Sequence, residues 1–461
     1  MILPLLPRQW ARPRCAPFAP LTSVALALAL FSAAHAQTPD LPKLDRFFDR
    51  LAEKNQAMGS LVIVKDGHPV YERAIGYREV NATDKQPNTI ATRFRIGSIS
   101  KMFTTVMIYQ LIEAGKLQPT DTLDKFLPPI PNASKITVAH ILGHRSGIPN
   151  VRRPQNAQGN VSTLPITNEE HLALIVKATP DFEPDAKHLY SNTGYFVLGL
   201  IIEKLTGKSY AEVLRDNITA KIGLHDTYLA TGNIDPTKQE ALTYLYVGGW
   251  KQDAETHPSV LFGAGQIIST TPDLAKFIAA LFDLKLISAA SVDAMQTMRE
   301  GEGKGMEPFQ FAGKTFFGHT GGGDNYGSWL AYLPEEKLAL CYMTNAKVLP
   351  VGQIMTGITE IYYGRPFEIP SFEAFAVSAD TLDRYVGVYV TTEAPVKFTI
   401  TRQGTTLFAQ PPGQTKSAPL EATAENKFQL SSAGPFFEFD AAKHQMLIKR
   451  GAGQRLFTKE N

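Results

Sequence analysis

Cysteine is scarce in this 461-residue chain, in which Cys15 and Cys341 are the two present. At most one disulfide can form, so the disulfide framework of small secreted domains is excluded. Gly-x-Ser-x-Gly is absent, which argues against the nucleophile elbow of an α/β-hydrolase. An excess of one sign of charge is lacking too, because the chain has 46 basic and 44 acidic residues. Nothing in this balance predicts nucleic acid or an anionic membrane as a partner.

A long amino-terminal hydrophobic run is also lacking, because the apolar stretch from Val24 to Phe31 is too short to cross a bilayer. Arginines precede it and Ala34-His35-Ala36 follows, which is the pattern of a secretory signal peptide. We predict a signal peptide over residues 1–36, cleavage after Ala36 and a secreted, periplasmic protein without a stable membrane span. A retained anchor is the less favoured alternative, and the oligomeric state is left open.

A metal site is not predicted. His140 and His144 have the spacing of a zinc-binding helix, but Ile141 stands where the pattern His-Glu-x-x-His needs its glutamate. Cys341 lies in an apolar run that predicts a strand, so it is interpreted as an inert core thiol rather than a nucleophile.

The chain contains one Ser-x-x-Lys sequence, Ser98-Ile99-Ser100-Lys101. Apolar residues at helical spacing follow it until Gly115, which predicts a helix that begins near Ser98. Residues three apart share a helix face, so the Lys101 amine can reach the Ser98 hydroxyl. A free serine is a weak nucleophile, and an amine with a lowered pKa can serve as its base.

Two further fragments with side chains suited to catalysis follow later in the chain. In Tyr190-Ser191-Asn192, the phenol can relay a proton and the amide offers both a donor and an acceptor. Taken alone, the fragment is equally typical of a buried tyrosine beside a capping asparagine. Glycines in the segment His319-Thr320-Gly321-Gly322-Gly323 permit close approach of a substrate to the backbone, although an ordinary glycine loop is the alternative.

The three fragments together resemble the penicillin-recognising serine hydrolases, within them the group of class C β-lactamases, D-aminopeptidases and related esterases. That family carries Ser-x-x-Lys, Tyr-x-Asn and Lys/His-Thr-Gly in this order. Residues 141–148 resemble its Leu-Leu-x-His-Thr-Ser-Gly-Leu stretch, and residues 263–275 resemble its glycine-rich Ser-Thr-x-x-Asp-Leu segment. The resemblance covers roughly residues 45 to 365. Arg145 in place of threonine and His319 in place of lysine are the departures.

The resemblance implies an α+β fold of the β-lactamase/transpeptidase type, with an antiparallel sheet flanked by helices and a helical subdomain. It implies that Ser98 attacks a carbonyl while Lys101 and Tyr190 move protons, which makes these three the candidate catalytic residues. The backbone amides of Ser98 and Gly322 would hold the oxyanion. The candidate substrate and oxyanion residues are Asn192, His319, Thr320, Gly321 and Gly322.

The predicted function is a secreted serine hydrolase that cleaves a small ester, or a D-amino-acid peptide or amide, through an acyl-enzyme on Ser98. No metal or cofactor is required, and the partner is a small-molecule or short-peptide substrate. Lysine at 319 would offer a fixed charge to a substrate carboxylate, whereas His319 is mostly neutral near neutral pH. Poor β-lactam hydrolysis is therefore expected. The alternatives are a D-Ala-D-Ala carboxypeptidase or β-lactamase, and a binding protein: a sensor that stays acylated, or a scaffold that retains the fold.

The pattern of elements predicts one sheet built from both ends of residues 37–365, with helices inserted between and the site in the cleft. Asp66-Gly67 marks an early hairpin, and two apolar runs after residue 325 predict later strands. A linker over 366–380 leads to a β-domain over 381–461, where alternating apolar residues predict a small antiparallel barrel. This part resembles the lipocalin-like barrel appended to some family members, and a core filled by its own side chains is favoured over a ligand site.

Overall fold

The computed structural model describes residues 39–151, 163–372, 375–393, 396–412, 417–430, 435–450 and 453–460. The predicted signal peptide and its cleavage point after Ala36 lie outside these residues. Within them, no helix is long and apolar enough to span a bilayer. The α-helices described are α1 (Leu41–Glu53), α2 (Ser100–Glu113), α3 (Val138–Leu142), α4 (Asn168–Val176), α5 (Asn192–Thr206), α6 (Tyr210–Leu214), α7 (Ala220–Ile222), α8 (Thr271–Phe282), α9 (Ala289–Gln296), α10 (Val351–Tyr362) and α11 (Ala379–Tyr385).

The described strands form a six-stranded sheet, a closed barrel, a small three-stranded sheet and two two-stranded pairs. In chain order they are β1 (Ala57–Lys65), β2 (His68–Ile75), β3 (Tyr77–Val80), β4 (Lys85–Pro87), β5 (Phe94–Arg95), β6 (Tyr228–Leu229), β7 (Tyr244–Tyr246), β8 (Trp250–Gln252), β9 (Ile267–Ser269), β10 (Glu307–Phe311), β11 (Lys314–Gly323), β12 (Tyr326–Leu333), β13 (Leu338–Lys347), β14 (Gly387–Val390), β15 (Lys397–Gln403), β16 (Thr406–Gln410), β17 (Ala418–Ala424), β18 (Lys427–Leu430), β19 (Phe436–Asp440), β20 (Gln445–Arg450) and β21 (Gly453–Lys459).

The main sheet joins the two ends of the first 365 residues, as the sequence predicts. Its strand order is β10-β11-β12-β13-β1-β2, and every neighbouring pair is antiparallel. Asp66 and Gly67 both have positive φ at the β1–β2 turn, which suits the tight hairpin expected there. The chain between β2 and β10 contains the helices α2 to α9. The sheet is completed by pairing of β1, from before this segment, with β13, from after it.

Both faces of the main sheet are covered. Val62 and Cys341 pack with the inserted helices on one face, whereas Leu61 and Tyr342 pack with α1 and α10 on the other. Because successive strand residues point to opposite faces, burial on both sides makes the apolar run of β13 nearly continuous. Cys341 is fully buried there, and burial raises the pKa of its thiol, in line with an inert core residue.

The carboxyl-terminal strands β14 to β21 form a closed antiparallel barrel. Its core contains Ile400, Leu407, Phe437 and other apolar side chains, so the barrel interior is filled by the chain itself. The stretch that begins at Leu382, expected to open the β-domain, is helical before it is extended: α11 ends at Tyr385 and β14 follows. Ser378 caps this helix, and Leu382 and Tyr385, three residues apart, pack into the barrel core. The division at residues 366–380 stays a prediction.

Candidate active site

Ser98 lies in a short 3-10 turn over Gly97–Ile99 that runs directly into α2. Its side chain is partly exposed, whereas Ser100 is fully buried and its Oγ accepts a hydrogen bond from the backbone of Ile267. The two serines of this segment thus differ in accessibility. Lys101 Nζ lies 2.9 Å from Ser98 Oγ, which confirms the predicted contact across one helical turn.

Lys101 is fully buried and held by three acceptors. Besides Ser98, its Nζ donates to Asn192 Oδ1 at 2.7 Å and to the carbonyl oxygen of Ala264 at 2.9 Å. Burial lowers the pKa of Lys101 from its ordinary value of 10.5 to about 7, with Glu307 and Glu302 acting in the opposite direction. A substantial fraction of the amine is therefore neutral near neutral pH and able to take a proton.

Tyr190 completes the group around the serine hydroxyl. Its phenol forms a side-chain hydrogen bond with Ser98, and its ring centroid is 4.8 Å from Lys101 Nζ. Burial raises the pKa of Tyr190, so the phenol stays protonated over the ordinary pH range. The ring packs at 4.4 Å from that of His144, which fixes its orientation. This arrangement allows the phenol to accept one proton while it donates another.

Asn192 is free to contact Lys101 because a neighbouring residue caps the helix. Ser191, not Asn192, is the N-cap of α5: its Oγ accepts a hydrogen bond from the backbone of Gly194 at 3.2 Å. The Ser191 backbone in turn donates to His144 Nδ1 at 3.1 Å. The capping role that the sequence allowed for the asparagine is thus filled by the serine before it.

The histidine pair with zinc-like spacing has structural contacts. His140 forms a reciprocal capping box with Thr137 at the start of α3, and His144 packs against Tyr190. No group of three His, Cys, Asp or Glu side chains that could hold a metal ion occurs in the described ranges.

The glycine-rich end of β11 packs directly against the Gly97–Ile99 turn that contains Ser98. Gly97 has φ +52°, and a Cβ there would lie 2.6 Å from the backbone nitrogen of Gly322. A Cβ on Gly321 would collide with the carbonyl oxygen of Ile96, which also accepts a hydrogen bond from Ser328 Oγ at 2.8 Å. Glycine is required at both positions for this approach. The Gly322 backbone therefore lies beside the Ser98 turn, where an oxyanion donor is needed.

His319 is almost fully buried within β11, at 2% exposure. Its Nδ1 is 2.5 Å from the carbonyl oxygen of Thr320, and its Nε2 is 3.7 Å from Glu307 Oε1. Burial lowers the pKa of His319 to about 3, and the nearby Lys101 acts in the same direction. The imidazole is therefore neutral at physiological pH. The sequence predicts this state from the ordinary histidine pKa, and burial makes it far more pronounced.

The structure brings the predicted residues together at one site. Ser98, Lys101, Tyr190 and Asn192 form a hydrogen-bonded cluster, and the His319 ring centroid lies 6.5 Å from that of Tyr190. Sequence reasoning missed four groups that contact or influence this cluster: the Ala264 carbonyl, His144, Glu302 and Glu307. For Glu307 a signal was present, because Phe309 and Phe311 alternate with Gln310 just before Ala312-Gly313, which indicates a hairpin partner for the strand that carries His319.

Comparisons with known proteins agree with this geometry. The family model described as Beta-lactamase matches residues 44–356. Penicillin-binding protein 4* of Bacillus subtilis (strain 168) is 27% identical over 442 residues, which cover 89% of this chain and 96% of the relative.

Solved structures are similar as well, among them the following two. The octameric penicillin-binding protein homologue from Pyrococcus abyssi has a TM-score of 0.63 and 26% identity, covering 91% of this chain and 100% of its own. D-amino acid amidase from Ochrobactrum anthropi SV3, complexed with L-phenylalanine amide, has a TM-score of 0.61 and 25% identity, covering 69% and 98%.

Proposed function

Since the chain belongs to the β-lactamase family and is a serine hydrolase, we propose that it cleaves an ester or amide bond through an acyl-enzyme on Ser98. The observation that carries this proposal is the 2.9 Å contact between Ser98 Oγ and a fully buried Lys101 whose pKa is lowered to about 7. A neutral amine at hydrogen-bond distance is what a serine needs to become a nucleophile.

In the proposed acylation step, Ser98 Oγ forms a bond to the substrate carbonyl carbon while its proton passes to Lys101 Nζ. The backbone amides of Ser98 and Gly322 stabilise the negative charge that develops on the carbonyl oxygen. Tyr190, protonated because of its raised pKa, donates a proton to the leaving alcohol or amine as the ester or amide bond breaks. Lys101 then returns a proton to the phenol.

Deacylation follows the same path with water in place of serine. Water attacks the acyl carbon, its proton passes to the Lys101–Tyr190 pair, and Ser98 leaves with a proton as the free acid is released. Asn192 keeps Lys101 directed at the serine through the 2.7 Å hydrogen bond to its Oδ1. An amine acceptor in place of water would make the same acyl-enzyme a transferase intermediate.

We propose small esters and D-amino-acid amides or peptides as the substrate class. The neutral state of His319 supports this choice, because a fixed positive charge for a substrate carboxylate is lacking at that position. The similarity to a D-amino acid amidase supports the amide part of the proposal. We also propose that the protein is secreted after cleavage behind Ala36, which mass determination of the mature protein from the periplasm would test.

The test of the function is covalent labelling by a fluorophosphonate probe together with turnover of a substrate panel. The panel contains short-chain esters, D-amino-acid amides, D-Ala-D-Ala peptides and a chromogenic cephalosporin. We expect Ser98→Ala to abolish labelling and turnover, while Ser100→Ala, which alters the buried serine of the same segment, keeps labelling. Turnover by Ser98→Ala at a rate close to that of the unaltered protein would refute the assignment.

The same panel decides between the proposed class and its alternatives. Preferred hydrolysis of D-Ala-D-Ala peptides or of the cephalosporin would favour a carboxypeptidase or β-lactamase. A stoichiometric burst of product without further turnover would favour an acylated sensor.

A further inference from the structure

One nitrogen of the buried His319 has no hydrogen-bond donor in the described structure. Because a carbonyl oxygen only accepts, the contact between Nδ1 and the Thr320 carbonyl places the single imidazole proton on Nδ1. Nε2 therefore carries a lone pair. Its nearest recorded partner is Glu307 Oε1 at 3.7 Å, which is too long for a hydrogen bond.

Glu307 adds acceptors beside His319. It is paired with Gly318 across the β10–β11 ladder, so its side chain reaches the residues that follow on β11. Its Oε2 accepts from Thr320 Oγ1 at 3.5 Å, and the Thr320 backbone also donates to the carboxylate. These contacts leave Oε1 directed at His319.

A second carboxylate strengthens the negative character of this region. Glu302 interacts electrostatically with both Lys101 and Glu307, and both carboxylates are partly buried. Burial and the neighbouring Glu302 raise the pKa of Glu307 to about 7, so the carboxylate is mostly ionised at pH 8. Lys101 and, for Glu302, His188 act electrostatically to lower the pKa of these carboxylates, and Lys101 is already engaged with Ser98, Asn192 and the Ala264 carbonyl.

A substrate group that enters beside β11 thus meets lone pairs rather than donors. A carboxylate placed there would face Glu307 at close range and leave His319 Nε2 unsatisfied, whereas an N–H group can bridge Nε2 and Oε1. We propose that Glu307 and His319 form a subsite that recognises an N–H donor of the substrate, an ammonium above all, and rejects a carboxylate. This inference rests on the proposed hydrolase function and names the substrate group that the site selects.

The test uses a matched series of esters that differ in one group: an ammonium, a carboxamide or a carboxylate. One set carries the group on the acyl side and another on the alcohol side. At pH 8 the full-length protein should prefer the ammonium, then the carboxamide, then the carboxylate in at least one set. Glu307→Gln should lower the ammonium-to-carboxylate ratio of kcat/KM about tenfold, mainly through KM, since one charge is removed without a change of shape.

Two other variants keep the test decisive. Glu335→Gln, which removes an exposed carboxylate outside the candidate site, should leave the ratio unchanged. His319→Lys replaces the acceptor with a cation and should shift the ratio toward the carboxylate, whether or not Glu307→Gln folds well.

A ratio that stays within twofold in both Glu307→Gln and His319→Lys, with Ser98 still labelled, would overturn the subsite and leave the hydrolase intact. So would a preference of the unaltered protein for the carboxylate in both sets. Failure of the hydrolase itself is distinguished by turnover that persists in Ser98→Ala.

Discussion

The candidate active site and the carboxyl-terminal barrel bury opposite kinds of side chain. The candidate site buries Lys101 and His319 at 0% and 2% exposure, and both have pKa values far from their ordinary ones. In the described part of the barrel, no polar or charged residue other than tyrosine is buried. Burying an ionisable group costs free energy, so such groups mark the place where chemistry needs them.

Aromatic packing fills the barrel instead. The Phe439 ring lies 4.8 Å from that of Tyr385 and 5.6 Å from that of Phe428, and the buried Tyr389 phenol donates to the backbone carbonyl of Tyr385 at 2.9 Å. This interior supplies stability and no poised proton acceptor. The comparison teaches that burial alone does not make a site, since burial of ionisable groups and burial of aromatic rings have different consequences.

The largest expected effect is the loss of activity on substitution in the candidate site, compared with substitution in the barrel core. Lys101→Ala should lower kcat/KM by about a thousandfold or more, and adding Ser98→Ala should cost little further, because nucleophile and base act as one unit. Phe439→Ala should destabilise the barrel by about 3–5 kcal/mol while leaving acylation of Ser98 in place. Initial rates and denaturant unfolding of the three variants measure both quantities.

Two results would contradict this contrast between the candidate site and the barrel. Full additivity of the Ser98 and Lys101 losses would mean that the two residues act separately. Loss of Ser98 labelling in a folded Phe439→Ala protein would mean that the barrel core contributes to the reaction.

An intermediate effect is expected from pH. Below pH 7 Lys101 is protonated and cannot accept the serine proton, so kcat/KM for an uncharged ester should rise about tenfold per pH unit up to about pH 7 and then level off. Tyr190 stays protonated over this range because its pKa is raised. Phe439→Ala should keep the same midpoint, since the barrel holds no group of this kind. A profile that is flat between pH 5 and pH 9 would contradict the role of Lys101.

The smallest effect is expected from removal of the barrel. A chain that ends after Phe372 keeps the contact of Arg50 with the Ser371 carbonyl at 3.3 Å and the packing of Phe47 on Phe367. The barrel strands pair with one another, so the removal exposes no edge of the main sheet. Ser98 should remain reactive, and any loss of discrimination between large and small substrates should be at most a few-fold, because every residue proposed for the reaction precedes the cut.

The truncated and full-length proteins are compared on a series of substrates of increasing size. If a well-behaved, labelled truncation matches the full protein across large and small substrates, the barrel has no part in substrate selection. Aggregation would show that the barrel covers apolar surface of the rest of the chain.

The local parts of the site were predictable from sequence. Ser98 and Lys101 are three residues apart on a helix, so their contact follows from helix geometry. The early hairpin at Asp66-Gly67 and the alternating barrel strands follow from turn chemistry and period-two patterning. The order of the three fragments also indicated a family that the match over residues 44–356 confirms.

Other features of the site depended on tertiary structure. The carbonyl of Ala264 and the carboxylate of Glu307 reach the site from residues more than 150 positions away from Lys101, and no local pattern places them there. The burial that brings the pKa of Lys101 to about 7 and that of His319 to about 3 depends on how completely helices and sheet exclude water. Sequence determines which groups can react, because side-chain chemistry and helical spacing are local. Only the packed fold decides their charge, because desolvation sums over every element that surrounds them.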